Sequence, residues 1–239
     1  MTEMLFREDA YLAEAPARVV AHTQEGGVVL DRTVFYPSGG GQPGDSGRLD
    51  WQGGHLPVAT TVKGEGDAIA LVPGAPQALP PAGAEVVQVL DWERRHRFMR
   101  MHTALHLLSV VIPLPVTGGQ VGEARSRLDF DMPEAPADRE TLESQLAMLV
   151  DRDLAVTEDW ITDAELDANP GLVKTMSVSP PRGAGRVRLI GIGAGEDRVD
   201  LQPCGGTHVA RTGEIGALRM GKIERKGRRN RRVHLHLDG

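Results

Sequence analysis

The sequence has little cysteine and no apolar run long enough to span a bilayer. Cys204 is the only cysteine among 239 residues, which excludes an internal disulfide and leaves a buried apolar side chain, a metal ligand or a reactive thiol as its roles. The first twenty residues contain four acidic residues, which exclude a secretory signal sequence. These absences predict a soluble, cytoplasmic protein without a membrane partner.

Positive charge is unevenly distributed along the chain. The net charge is −6, which by itself disfavours a nucleic-acid partner, yet residues 222–232 (KIERKGRRNRR) hold seven positive residues and one negative residue. A second cluster, Arg94, Arg95, Arg97 and Arg100, precedes the first histidine motif. Basic clusters on an acidic protein are typical of a local polyanion contact, and a solvated surface is the alternative interpretation.

The first part of the chain, residues 1–90, predicts a small β-barrel or sandwich. Short apolar runs alternate with glycine and proline clusters, giving predicted strands at residues 17–21, 27–30, 58–62, 68–72 and 85–90.

The segment FYPSGGGQPGDSG, residues 35–47, lacks the Gly-Lys-Ser/Thr ending of a P-loop. It is either a glycine-rich hairpin or a backbone cradle for an anion, and Gln42 and Asp45 within it are candidates to contact a small polar ligand.

Residues 91–239 predict a second domain of α+β type. Phe98, Met101, Leu105 and Leu108 have helical spacing, and Pro113 ends the run. The predicted elements after it are a helix at residues 138–154, a short helix opened by a Thr162/Glu165 capping box, and strands at residues 186–192, 198–202, 216–223 and 232–237. The fold prediction is therefore α+β, with a small N-terminal β-barrel domain packed on a C-terminal α+β domain. In the last strand, Val233, Leu235 and Leu237 are expected to face the core, and His234 and His236 to face solvent.

Two pairs of metal-ligand residues occur in the second part of the chain. His102 and His106 lie four residues apart in a predicted helix, so both imidazoles can point at one centre. Cys204 and His208 have the same separation across a Gly-Gly turn that follows an alternating strand with Val199 and Leu201. Together the four residues form a nitrogen and sulfur ligand set suited to Zn²⁺.

The sequence leaves the role of this metal open. The intervening residues do not form H-E-x-x-H, which disfavours a zinc peptidase with a neighbouring glutamate base. Four protein ligands make a closed structural site, whereas three ligands and a water make a catalytic one.

Several motifs occur together in the order of a known family. RMHTALHLL, RLDFD at residues 127–131 and CGGTH followed by TGEIG resemble the editing domain of alanyl-tRNA synthetases and the free-standing alanyl-tRNA editing proteins. FYPSGGGQPGD resembles the glycine-rich motif of the barrel in the medium-length editing proteins. The related editing domain of threonyl-tRNA synthetases resembles this one and has similar His and Cys spacings. The glycine-rich barrel favours the alanyl-tRNA editing proteins over the threonyl-tRNA synthetases.

The resemblance covers nearly the whole chain, and no length remains for an aminoacylation domain. It implies a glycine-rich barrel domain over residues 1–90 and an editing domain over residues 91–239. The implied activity is hydrolysis of the aminoacyl ester of mischarged tRNA(Ala), chiefly with serine and in some members with glycine. By this resemblance His102, His106, Cys204 and His208 are the zinc and catalytic positions.

The resemblance also implies contacts with the substrate and with RNA. The substrate candidates are Gly40, Gly41, Gln42, Gln120 and Thr207. The candidates for phosphate contacts are Arg94, Arg95, Arg225, Lys226, Arg228 and Arg229. Two other functions stay open: a zinc-stabilised RNA-binding module without turnover, and a zinc hydrolase of small esters.

Overall fold

The computed structural model describes residues 2–136, 138–175 and 185–238. The chain divides into two compact units, Met1–His96 and Arg97–Gly239. The division falls inside helix α1 (Trp92–Val111), which begins after Asp91 and ends before Pro113. Among the described residues, no helix is both long and apolar enough to cross a lipid bilayer.

The first unit contains a closed barrel of antiparallel strands. The strands of this unit are β1 (Glu3–Met4), β2 (Glu14–His22), β3 (Val28–Leu30), β4 (Arg32–Thr33), β5 (Gly47–Trp51), β6 (Gly54–Lys63), β7 (Ile69–Pro73) and β8 (Glu85–Leu90). The barrel order is β2-β3-β7-β6-β5-β8, and β8 pairs with β2 to close it. Closure removes the unpaired sheet edges, and the predicted barrel is confirmed.

Alternation of side chains along the strands fills the barrel. In β2, Ala15, Ala17 and Val19 are buried while their neighbours face solvent. Strand β5 was not predicted, because its sequence GRLDW has a single fully buried apolar residue, Leu49.

The glycine-rich segment is a tight hairpin. Gly40 and Gly41 both have positive φ, +57° and +83°, which two-residue turns of this kind require. The amides of Gly39 and Gln42 donate to each other's carbonyl oxygens at 3.1 and 2.9 Å. These two amides therefore serve the turn and are not free to hold an anion.

A buried ion pair follows the hairpin. The Arg95 side chain is fully buried, and its Nε donates to the two Asp45 carboxylate oxygens at 3.1 and 3.0 Å. Its other nitrogens donate to the carbonyls of Ala10 at 3.0 Å and Val34 at 2.7 Å. Asp45 also accepts the amide of Tyr36 at 2.6 Å. Every nitrogen of the guanidinium is thus hydrogen-bonded inside the unit.

This geometry corrects two predictions. Arg95 does not contact RNA phosphates, because its charge is neutralised and sealed within the first unit. Asp45 does not present a carboxylate to a small ligand, because Arg95 and the Tyr36 amide occupy it. Membership of a basic cluster in the sequence therefore did not predict that the Arg95 side chain is exposed.

The second unit combines helices with two antiparallel sheets. Its elements after α1 are β9 (Val116–Gln120), β10 (Arg125–Asp131), α2 (Arg139–Asp151), β11 (Val156–Ile161), α3 (Asp163–Ala168), β12 (Val187–Ile192), β13 (Asp200–Pro203), β14 (Leu218–Arg225) and β15 (Asn230–Leu237). One sheet has the order β14-β15-β10-β9 and the other has the order β11-β12-β13. With the barrel, this makes the fold α+β.

Most predicted elements of this unit are present. The capping box of α3 is formed, since the Thr162 hydroxyl accepts the amide of Glu165 at 3.1 Å and the Glu165 carboxylate accepts the amide of Thr162 at 2.7 Å. Strands β9, β10 and β11 were not predicted. β9 and β11 are outer strands of their sheets and contain few apolar residues, so the alternation of apolar and polar residues that predicts a strand is weak in both.

Helix α1 is buried over its whole circumference at its centre. Each residue from 101 to 109 is buried, which is the pattern of an enclosed helix rather than of one with a solvent-facing side. The sequence predicted only one apolar face. The polar side chains of this segment are consequently buried too, and they need hydrogen-bond partners.

We predict that Asp45→Asn lowers the free energy of unfolding of the first unit by about 3–5 kcal/mol, because it leaves the buried guanidinium of Arg95 without a counter-charge. Urea titration followed by tryptophan fluorescence measures the loss. Asp50→Asn is the matched control: its partner Arg48 lies at 2.9 Å, but both side chains are well exposed, and a surface substitution changes stability by about 0.5 kcal/mol or less. Equal effects of the two substitutions would contradict the role of the buried pair.

Candidate metal centre

Helix α1 supplies two donor groups from one face. His102 and His106 are one turn apart, and each is 7% exposed. Their ring centroids are 5.5 Å apart. The helix therefore fixes the spacing of the two imidazoles before any other element contributes.

The turn after β13 supplies the other two donors. Cys204 is partly exposed and His208 is buried. The amide of Cys204 donates to the carbonyl of Arg188 at 3.1 Å, and the amide of Gly206 points at the Cys204 sulfur at 3.4 Å. The turn is thus fixed by its own backbone and by β12.

The side chain of Arg188 also holds this turn. It is buried, and its Nη1 donates to the carbonyl of Gly206 at 2.7 Å and to that of Cys204 at 3.3 Å. Its Nε donates to Glu158 on β11 at 2.9 Å. The three-stranded sheet therefore positions the Cys-Gly-Gly-Thr-His turn through one guanidinium.

The two pairs of donors meet. The Cys204 sulfur is 3.5 Å from His102 Nε2 and 3.2 Å from His208 Nε2, and the ring of His208 lies 4.6 Å from that of His106. The four ligand atoms all lie within 4.8 Å of one another. Residues about one hundred positions apart in the chain therefore form one cluster, which reaches solvent on the side of Cys204.

Thr103 orients His208. Its hydroxyl donates to the carbonyl of Met99 at 3.0 Å and lies 3.2 Å from His208 Nδ1. A hydroxyl has one proton, so Nδ1 of His208 must be the donor in this contact. The lone pair of a neutral His208 is then on Nε2, the atom that faces Cys204.

Asp200 lies behind His106. Its Oδ2 is 2.9 Å from His106 Nδ1 and accepts Gln202 Nε2 at 2.8 Å, while its Oδ1 accepts Lys174 Nζ at 2.5 Å. The Asp200 side chain has no exposed surface. Three hydrogen-bond donors therefore satisfy a fully buried carboxylate.

The charges of the cluster shift its pKa values strongly in the metal-free protein. Burial would raise the pKa of Cys204, but its interactions with the surrounding histidines hold it well below its usual range. Burial would lower the pKa of His106, but the Asp200 hydrogen bond and Cys204 outweigh it and raise the pKa to about 9. Burial, with the charge of His102, lowers the pKa of His208 to about 3. The thiolate form of Cys204 is therefore favoured, as metal binding requires.

The remaining substrate candidates lie in several parts of the fold. Thr207 is buried between Cys204 and His208, and Gln120 is exposed at the end of β9, where it accepts Arg127 Nε at 3.2 Å. Gly40 and Gly41 are exposed at the hairpin tip of the first unit, and Gln42 beside them is buried. Their contacts with a substrate stay predictions.

The basic segment at residues 225–229 is exposed at the connection between β14 and β15. Arg225 Nε donates to the carbonyl of Gly227 at 3.1 Å, and Arg229 binds the Asp131 carboxylate with two nitrogens yet stays 74% exposed. Arg94 is partly buried in the first unit and donates to the carbonyl of Gly44 at 3.0 Å. The contacts of these residues with RNA stay predictions.

One local interpretation of the sequence was wrong. His234 does not face solvent: it is 4% exposed, and its Nε2 contacts Glu224 at 3.1 Å. In β13 the buried positions are Asp200 and Gln202, whereas Leu201 is only partly buried. The strand thus turns its polar residues toward α1, where His106 and Ser109 can bond them.

Sequence reasoning also missed the residues that support the cluster. They are Thr103, Lys174, Arg188, Asp200 and Gln202. Two signals were available: a hydroxyl residue between the paired histidines, and polar residues at alternate positions just before the only cysteine. Lys174 and Arg188 carry no such signal.

Two family profiles match parts of the chain. The profile of the threonyl and alanyl tRNA synthetase second additional domain matches residues 187–234, which contain Cys204 and His208. The profile of the class II (A) tRNA synthetases matches residues 10–94.

Similar proteins are of two lengths. An alanine–tRNA ligase of Pyrobaculum neutrophilum is 38% identical over 94% of this chain, but the chain spans only 25% of that ligase. Proteins named alanyl-tRNA editing protein AlaX-M, from Methanosarcina acetivorans and Methanosarcina barkeri, are each 34% identical over 99% of this chain and 99% of their own length. The chain therefore belongs to the AlaX-M family of alanyl-tRNA editing proteins.

Proposed function

We propose that the chain is a trans-acting aminoacyl-tRNA deacylase, which hydrolyses the aminoacyl ester of mischarged tRNA(Ala), chiefly Ser-tRNA(Ala), with Gly-tRNA(Ala) as a further candidate substrate. The observation that carries the proposal is the convergence of His102, His106, Cys204 and His208 in a chain whose full-length relatives are named alanyl-tRNA editing proteins. A tRNA substrate implies action in the cytoplasm. Residues 1–90 are proposed as a glycine-rich barrel domain, and residues 91–239 as the deacylase domain.

The donor set fits Zn²⁺. Typical zinc–sulfur and zinc–nitrogen bond lengths in a tetrahedral site imply a sulfur-to-nitrogen distance of about 3.6 Å. The distances from the Cys204 sulfur to His102 Nε2 and His208 Nε2 are 3.5 and 3.2 Å. We propose all four residues as ligands. If one of the four ligands were displaced, the zinc would polarise an ester carbonyl and lower the pKa of a bound water to about 7.

The protein contributes orientation and selectivity. Thr103 and the Arg188 clamp fix the directions of His208 and of the turn, so the cluster needs little reorganisation when substrate arrives. We propose that Gln120, Thr207 and the hairpin residues Gly40, Gly41 and Gln42 contact the seryl group or the terminal adenosine. A site that hydrogen-bonds the serine hydroxyl disfavours alanine, because its own polar groups would be left unpaired.

The exposed basic connection is proposed to hold the acceptor stem. Arg225, Lys226, Arg228 and Arg229 are all exposed, and long exposed cationic side chains bind phosphates without reading sequence. Arg94 is a further proposed contact.

One observation favours a second function. Four ligand atoms within 4.8 Å of one another can saturate a tetrahedral zinc, which is the arrangement of structural sites. The chain would then be a zinc-stabilised RNA-binding module. A zinc hydrolase of small esters is the other alternative, and its turnover would not depend on RNA.

We predict that the wild-type protein releases serine from Ser-tRNA(Ala) and leaves Ala-tRNA(Ala) intact, and that Cys204→Ala and His208→Ala abolish the release. Deacylation of labelled aminoacyl-tRNAs, including Gly-tRNA(Ala), measures this. His55→Gln, which alters an exposed histidine of the barrel unit, is the control and should keep full activity. Binding without release would support the RNA-binding module, and equal hydrolysis of a free seryl ester would support the small-ester hydrolase.

We predict that the protein binds one zinc per chain and that a chelator removes both the metal and the deacylase activity. Replacing zinc with Co²⁺ should give a thiolate-to-metal charge-transfer band, because Cys204 is the proposed thiolate ligand. The band can be assigned to this residue, since Cys204 is the only thiol of the chain. Cys204→Ser should lose the band and His55→Gln should keep it. Full activity in protein verified to be metal-free would refute zinc-dependent hydrolysis.

We predict that affinity for tRNA(Ala) falls steeply with salt. The Arg225→Gln/Arg228→Gln variant should reduce the slope of log affinity against log salt by about one for each lost phosphate contact. Filter binding at several salt concentrations gives the slope. Arg18→Gln, at a 61% exposed side chain on the barrel, should leave the slope unchanged. An unaltered slope in the double variant would exclude this connection as the phosphate contact.

A further inference from the structure

We propose that Asp200 is a positioning residue of the metal centre, and that it fixes the His106 ring with Nδ1–H toward its carboxylate and the Nε2 lone pair toward the other three donors. Lys174 and Gln202 in turn hold Asp200. This inference rests on the proposed function only in taking zinc as the metal.

The direction of the hydrogen bond follows from its partners. An ionised carboxylate only accepts, so the 2.9 Å contact between Asp200 Oδ2 and His106 Nδ1 places the proton on Nδ1. Gln202 Nε2 also lies 3.1 Å from Nδ1, but its two protons are directed at Asp200 Oδ2 and the Ser109 hydroxyl. A neutral imidazole with its proton on Nδ1 has its lone pair on Nε2. His106 therefore offers the centre the same ring atom that His102 and His208 present to Cys204.

The burial of Asp200 indicates a specific role. A carboxylate without exposed surface is unfavourable unless donors satisfy it, and Asp200 is satisfied by His106, by Gln202 at 2.8 Å and by Lys174 at 2.5 Å. Gln202 is two residues along the same strand, so both side chains lie on the face of β13 that meets α1. Cys204 follows on the same chain segment, and β13 thus brings in both the supporting carboxylate and a ligand.

The charges favour the same role. One thiolate and three neutral imidazoles leave a divalent ion with a net positive charge. The Asp200 carboxylate contributes a further negative charge one hydrogen bond away and makes the imidazole a stronger ligand. Lys174 contacts the other oxygen of Asp200. Its positive charge therefore weakens the attraction between the Asp200 carboxylate and the metal.

The test measures zinc affinity without tRNA, so its outcome is separate from that of the deacylase assay. We expect Asp200→Asn to weaken zinc binding about 10–100-fold, as measured by competition with a chromogenic chelator. Lys174→Met removes a charge from the same network, and we expect it to keep or raise the affinity. Asp197→Asn, an exposed aspartate paired with Arg152, is the matched control and should bind as wild type.

A merely structural role would lower the melting temperature of the metal-free protein while the gain in melting temperature on adding zinc stayed the same. We expect that gain to shrink in Asp200→Asn. Zinc affinity of Asp200→Asn within threefold of wild type would overturn the proposal.

A measurement on the wild type covers the case in which Asp200→Asn does not fold. Long-range ¹H–¹⁵N correlation spectra of the zinc-loaded protein report which ring nitrogen carries the proton. We expect His106 to carry it on Nδ1. A proton on Nε2, with Nδ1 bound to the metal, would overturn the proposal without any substitution.

Discussion

The approach of the Cys204 turn to the buried centre of α1 is the constraint on which the rest of the second unit depends. The helix alone fixes the separation of His102 and His106, but it cannot supply a thiolate. β13 and its Gly-Gly turn bring the Cys204 sulfur to 3.5 Å from His102 Nε2. Neither pair would form a metal site without the other. β13 and its turn cover the face of α1 that carries these two histidines, because the Asp200 carboxylate and the Cys204 sulfur must both reach it.

Enclosing a polar helix requires compensation, and the structure provides it through hydrogen bonds. Thr103, His106 and Ser109 are buried on α1, and each has a hydrogen-bond partner: Met99 for Thr103, Asp200 for His106 and the His106 carbonyl for Ser109. Buried polar groups without partners are costly, while satisfied networks rigidify a site. The same contacts that make burial tolerable therefore also orient the imidazoles.

The barrel unit uses a comparable solution for a different purpose. Asp45 and Arg95 neutralise each other beneath the glycine-rich hairpin, and backbone carbonyls take the remaining guanidinium protons. Gly44 of this segment allows close packing, since a Cβ there would lie 2.0 Å from the carbonyl oxygen of Thr61. The pair lies in the barrel unit and stabilises the base of the hairpin, whereas Asp200, held by Lys174, contacts a candidate metal ligand, His106.

The sequence by itself determined the α+β class, the β-rich first unit, the long helix and the two pairs of candidate metal ligands, because these depend on local periodicity, turn residues and the i, i+4 spacing. It also indicated the capping box of α3. It could not determine that Arg95 is buried or that Asp200, rather than Leu201, faces α1. Those facts depend on which strand face meets which helix, and on partners such as Lys174 and Arg188 that are distant in the chain. Only the tertiary structure decides such pairings, since a cationic or carboxylate side chain looks the same in sequence whether solvent or a buried partner satisfies it.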